Sequence, residues 1–156
     1  MIDRRLMLAL PLLAAPAPTP AFAHPANSMA AAIAAGWTAR GVRFTADQVA
    51  ARMAGRTGKA ALLALAGATE GADGDEVETI IEIVWDAGTQ GPSWPLLLRD
   101  LAAGLPGVLQ DQAGDWWLLT AHDNGRFTVR HPLTGETRML AAPTVQLIGR
   151  PLIAGA

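Results

Sequence analysis

The spacing of hydrophobic residues changes period part-way along this chain. From residue 28 to residue 66 they recur at helical intervals. Ser28 precedes the apolar run Met29–Ile33, Ile33 and Trp37 fall four apart on one face, and Gly41 follows Arg40 as a stop. The spacing predicts a helix over 28–40 with Ser28 as its N-cap. Thr45-Ala46-Asp47-Gln48 has the form of a capping box, opening a second helix with Val49 and Met53 inward and Gly55 at its end. A short Ala/Leu helix over 59–66 follows, then a polar loop over 70–75.

Residues 76–85 fit two periods at once. Ile81, Ile83 and Trp85 alternate as in a strand, whereas Val77, Ile80, Ile81 and Val84 suit one face of a helix. Trp94–Ala103 reads as a helix with Leu97, Leu98 and Leu101 inward and Gly104 beyond it. After Pro106 the period falls to two, predicting strands over 107–110, 116–121, 127–131, 137–140 and 145–148. Asp123-Asn124-Gly125 is a hairpin signal, and Leu133-Thr134-Gly135-Glu136 closes the next turn. The expected fold class is α+β, with N-terminal helices packed on a C-terminal antiparallel β-sheet.

The start of the chain follows a different pattern. Arg4-Arg5, the apolar run Leu6–Ala15 and a Pro-rich stretch ending Ala21-Phe22-Ala23 have the layout of an export signal, with cleavage before His24. The run is too short, and too interrupted by Pro11, Pro16 and Pro18, to remain as a membrane span. Residues 1–23 are expected to be a signal peptide and 24–156 a single domain, periplasmic or secreted, with no membrane attachment after cleavage. Asp3-Arg4-Arg5-Leu6-Met7-Leu8 loosely resembles a twin-arginine signal, which leaves the export route open.

Charge narrows the partners. Loss of Asp3, Arg4 and Arg5 with the signal takes the formal charge from −2 to −3, and Lys59 is the only lysine. That balance excludes the basic footprint on which nucleic-acid binding depends. The chain has no cysteine, so disulfides, a thiolate zinc site and a cysteine nucleophile are all excluded. An exported domain of this kind is held by its core alone, and 51% hydrophobic residues make that feasible.

Several stretches together resemble the compact papain-like fold, above all bacteriocin leader peptidases and the papain-like effector proteases of plant-associated bacteria. Ser28-Met29-Ala30-Ala31-Ala32-Ile33 lies in register with that family's Cys-Trp-Ala-Ala-Ser-Ile helix start. Gly41–Val49 is similar to the Gly-x-x-Val-Ser-x-x-x-Ile approach to its second helix. Trp94–Gly104, Gly104-Leu105-Pro106, Gly114-Asp115-Trp116-Trp117-Leu118-Leu119 and His131-Pro132 fall where the family has a helix, a Gly-x-Pro turn, a Gly-His-x-x-Val-Leu strand and an Asp-Pro. The resemblance spans nearly all of the chain after the signal and rests on Ala, Gly and Pro spacing.

The departures decide what it implies. Ser28 stands at the nucleophile position, Asp115 at the histidine position and His131 at the aspartate position. No glutamine precedes Ser28 to form the family's oxyanion hole. A helix N-terminus readily produces a thiolate, but a serine hydroxyl needs a positioned base. Exchange of the acid and base positions would give a Ser28–His131–Asp115 triad, and hence a serine-dependent peptidase or amidase. The imidazole would then start from the place of the acid, set back from the nucleophile. The plainer alternative makes Ser28 an N-cap and Asp115 a turn residue. On that basis the resemblance implies a pseudoenzyme: a non-catalytic, peptide- or protein-binding module that uses the old groove.

Trp116 and Trp117 are adjacent on a strand, so their rings point to opposite faces, one core and the other exposed or lining a cleft. They are the candidate binding residues. Trp37 and Trp85 sit in apolar patterns and belong to the core. An N-terminal His24 can chelate copper, with His122 or His131 as a further nitrogen, but helices at the start of the domain argue against a metal protein. The sequence implies no cofactor.

Overall fold

The computed structural model describes residues 25–71 and 74–153, apart from the side chains of residues 25–27 and 68–70. The export signal and His24 lie outside the described residues. Helix α1 spans Pro25–Thr38, α2 Ala46–Met53 and α3 Gly58–Ala64. Strands β1 (Gly67–Glu70), β2 (Glu76–Asp86) and the two-residue β3 (Thr89–Gln90) come next. Helix α4 (Trp94–Ala102) then leads to β4 (Gly107–Asp111), β5 (Trp116–Asp123), β6 (Arg126–Arg130), β7 (Thr137–Ala141) and β8 (Val145–Ile153). The class is α+β with an antiparallel sheet, ordered β1-β2-β8-β4-β5-β6-β7.

Local chemistry accounts for most boundaries. In α2 the Thr45 hydroxyl accepts from the Gln48 amide at 3.1 Å while the Gln48 side chain accepts from the Thr45 amide at 2.9 Å, completing the capping box. Asn124 and Gly125 both take positive φ, 48° and 73°, as a tight hairpin between β5 and β6 demands. Helix α1 starts earlier than its pattern suggests. Pro25 suits a first helical turn because its missing N–H would be unbonded there in any case. Ser28 is therefore inside the helix and does not cap it.

The ambiguous stretch 76–85 is strand. Its β-branched content, Val77, Thr79, Ile80, Ile81, Ile83 and Val84, favours the pleated surface. A register shift between Ile83 and Trp85 against β8 explains the second period, since it buries Val84 and Trp85 together. Strand β1 was not legible in the loop-like Gly67–Glu70; pairing with Glu76–Thr79 supplies its order.

Helices cover both faces of the sheet. Helix α1 packs on β4, β5 and β8, and α4 packs on β2, β4 and β5. One core gathers Met29, Ile33, Trp37, Leu62, Trp116 and Leu118; the other gathers Trp85, Trp94, Leu97, Trp117, Phe127 and Val129. Trp116 and Trp117 thus face opposite ways, as alternation requires. Neither is exposed, however: both are only 2% accessible. The expectation that one ring is left outside or in a cleft is corrected by α4 and Trp94, which close the second face.

Candidate functional site

Ser28 is 1% accessible, and its Oγ accepts the Trp116 backbone N–H at 3.3 Å. The bond joins α1 to the first residue of β5. Asp115, one residue earlier, belongs to the turn between β4 and β5. Its N–H donates to Asp111 Oδ1 at 3.0 Å and its carbonyl accepts from the Asp111 N–H at 3.0 Å. The other Asp111 oxygen, Oδ2, accepts the Trp117 indole N–H at 3.0 Å. Asp111 thus fixes both the turn and the second tryptophan.

His131 is built into a different turn. Its Nδ1 accepts from the Leu133 and Thr134 amides at 3.2 and 3.3 Å, which fixes Nε2 as the protonated nitrogen of the neutral ring. The ring packs edge-on to Trp117, centroids 5.1 Å apart, and the Arg138 guanidinium lies 4.9 Å from the same indole. Trp117 belongs to the core opposite the one that α1 covers. Ser28 and His131 therefore serve opposite faces of the sheet, and the fold does not bring Ser28, Asp115 and His131 together as a triad.

His122 sits against Trp94 and Phe127, with centroid separations of 5.4 and 4.8 Å. It is an aromatic contact at the hairpin shoulder. Among the described residues no group of three or more metal-ligating side chains converges.

A charged cluster that no sequence motif announces lies where α1, α4, β2 and β8 meet. Asp100 Oδ2 accepts from Arg150 Nε at 2.7 Å and from Arg40 Nη2 at 3.0 Å. Arg40 Nη1 also donates to the carbonyls of Gly36 and Pro106, at 2.9 and 2.7 Å. Arg150 Nη1 reaches Glu82 at 2.9 Å, and Glu82 in turn accepts from the Ser93 hydroxyl at 2.8 Å. Burial works against the Asp100 carboxylate, but the hydrogen bonds from Arg150 and Arg40 outweigh it and hold the group below the usual carboxylate range. Desolvation of Arg150 is likewise outweighed by its bonds to Asp100 and Glu82, which raise it. Arg40 is drawn down, because burial exceeds what the bond to Asp100 restores. The signal in the sequence is Asp100 three residues after Leu97, an acid on the buried side of an apolar helix.

A cavity of about 270 Å³ opens between α1 and the strands, bounded by Ala35, Ala39, Pro106, Leu118, Thr120 and Arg130. Ala35 follows Ser28 by seven residues, about two helical turns, so this space is well separated from the nucleophile position. Trp116 and Trp117 do not line it. No protein-family model, curated protein or solved structure matches this chain. Among the described residues no helix is long and apolar enough to cross a membrane.

Proposed function

We propose that this chain is an exported, non-catalytic papain-like domain that acts as a peptide- or protein-binding module in the periplasm or outside the cell. The state of Ser28 carries this reading. A hydrolytic serine needs its hydroxyl in front of a base at about 2.6–3.2 Å, with substrate access. Ser28 is instead buried against the Trp116 amide. The imidazole that would serve it packs on the far side of the sheet against Trp117, with Nδ1 occupied by two turn amides. Asp115 works through its backbone in the β4–β5 turn. The cavity between α1 and the strands, two helical turns from Ser28, supports the binding part of this reading as a concave surface.

A fluorophosphonate probe applied to the purified protein is expected to leave Ser28 unlabelled, while an array of randomised octapeptides captures the protein. Labelling that disappears in Ser28→Ala would sink the proposal and install a serine hydrolase in its place. Export is checked by amino-terminal sequencing of the secreted or periplasmic product, which should begin at His24. A dominant membrane-bound product beginning at Met1 would reject that part.

A further inference from the structure

We infer that the cavity between α1 and β5 recognises an acidic side chain of an extended peptide, with Arg130 as the anchoring residue; this rests on the peptide-binding reading above. Arg130 is the one charged residue in the cavity wall, which is otherwise made by small or apolar groups such as Ala35, Ala39, Pro106 and Leu118. Its place follows from sheet register. Arg130 pairs directly with Leu118, and residues opposite each other in an antiparallel pair project to the same face. Leu118 belongs to the core under α1, so Arg130 rises on that side, just past the helix.

The guanidinium is available. Arg40, Arg138 and Arg150 each meet a carboxylate. Among the described residues, Arg130 has no ion-pair or hydrogen-bonding side-chain partner. What sets Arg130 apart from Arg126, on the same face of β6, is position: Arg130 lines the cavity beside Leu118, whereas Arg126 lies outside it near the 124–125 turn. The Thr120 hydroxyl already donates to the Thr128 carbonyl at 3.2 Å, so Arg130 holds the free side-chain donors of the wall. A planar fork of N–H groups beside an apolar wall favours a carboxylate, which it can engage in two parallel hydrogen bonds.

The surface continues past the cavity, and this favours an internal acidic residue over a chain end. Thr137 and Met139 on β7 pair with Arg130 and Thr128, and both are exposed, Met139 at 61%. An extended peptide with its Asp or Glu in the cavity can run on across this strip, with Met139 as an apolar contact.

The test uses an array of randomised octapeptides tethered through their C-termini, which removes the free terminal carboxylate and leaves only those of Asp and Glu side chains, probed with the labelled full chain. Captured peptides are expected to be enriched in Asp and Glu, and the enrichment should fade as salt is raised. Arg130→Gln should weaken binding to these peptides at least about tenfold with an unchanged melting temperature, and Arg130→Glu should shift the selection toward Lys and Arg. Capture without acidic enrichment, or enrichment that persists in Arg130→Gln, overturns the inference and leaves the peptide-binding reading intact. Capture of no peptide overturns both.

Discussion

Arg150 on β8 donates to Asp100 on α4 at 2.7 Å, which ties that strand to a helix 50 residues earlier. Because Arg40 closes on the same oxygen, two largely buried guanidinium groups share one carboxylate, with Glu82 as a second partner for Arg150 only. Removing it leaves Arg40 without its carboxylate and facing Arg150, which keeps only Glu82. Asp100→Asn is expected to cost about 3–5 kcal/mol, in the range for breaking a buried pair from one side. Chemical denaturation measures this directly; a loss under about 1 kcal/mol would mean that the cluster behaves as surface charge.

The same carboxylate sets a pH dependence. Asp100 is held below its unfolded value, so its contribution is fully present above about pH 4 and is lost as pH falls through the depressed folded value. Asn cannot titrate. The melting-temperature gap between the wild type and Asp100→Asn should therefore be widest near neutrality and narrow below about pH 4. A gap that stays constant from pH 7 to pH 3 would remove Asp100 from the acid response.

Ser28→Ala separates a structural from a catalytic serine. The variant leaves the buried Trp116 amide without its Ser28 acceptor, for which about 1–3 kcal/mol is expected. Peptide capture should be unchanged. Loss of a hydrolytic activity at full stability would contradict this role.

Trp116→Ala and Trp117→Ala should both behave as core truncations, each costing about 3–5 kcal/mol, because the two rings are equally buried on opposite faces. Trp117→Phe adds a finer test: it keeps an aromatic ring but deprives Asp111 of the indole N–H, and a double-mutant cycle with Asp111→Ala separates that bond from the lost ring volume. If either Ala variant weakened peptide binding while keeping its melting temperature, that ring would be a binding anchor and no longer core.

What the sequence makes legible here is periodic, and what it hides depends on distant partners. Thr45 and Gln48 announce α2, and Asn124-Gly125 announces a hairpin, because both devices act within four residues. Alternation places Trp116 and Trp117 on opposite faces but carries no information about what covers each face; α4, from earlier in the chain, closes the second. The pattern around Ser28 marks a helix correctly. Its role is set by Trp116, 88 residues away, while His131 is drawn into the 131–134 turn against Trp117. Asp100 and Arg150 read as isolated charges in apolar segments until the fold joins them.

Gly149 is the position where close packing leaves least room. It lies in the interior of β8, which β2 and β4 flank, and a Cβ there would sit 2.7 Å from Ile81 Cγ2 and 3.1 Å from Val108 Cγ2. Both neighbours are buried and held by strand pairing, so neither side chain has free space to retreat into. Gly149→Ala is expected to destabilise by about 1–3 kcal/mol through overpacking, despite the gain in strand propensity. The double variant Gly149→Ala with Ile81→Val removes only Ile81 Cδ1 and leaves Cγ2 in place, so it should recover little. Ile81→Ala removes the closest clashing methyl and should recover most of the cost of the added Gly149→Ala, the remainder coming from Val108 Cγ2. A double-mutant cycle by denaturant titration checks the coupling, and strictly additive costs would refute the contact as its source.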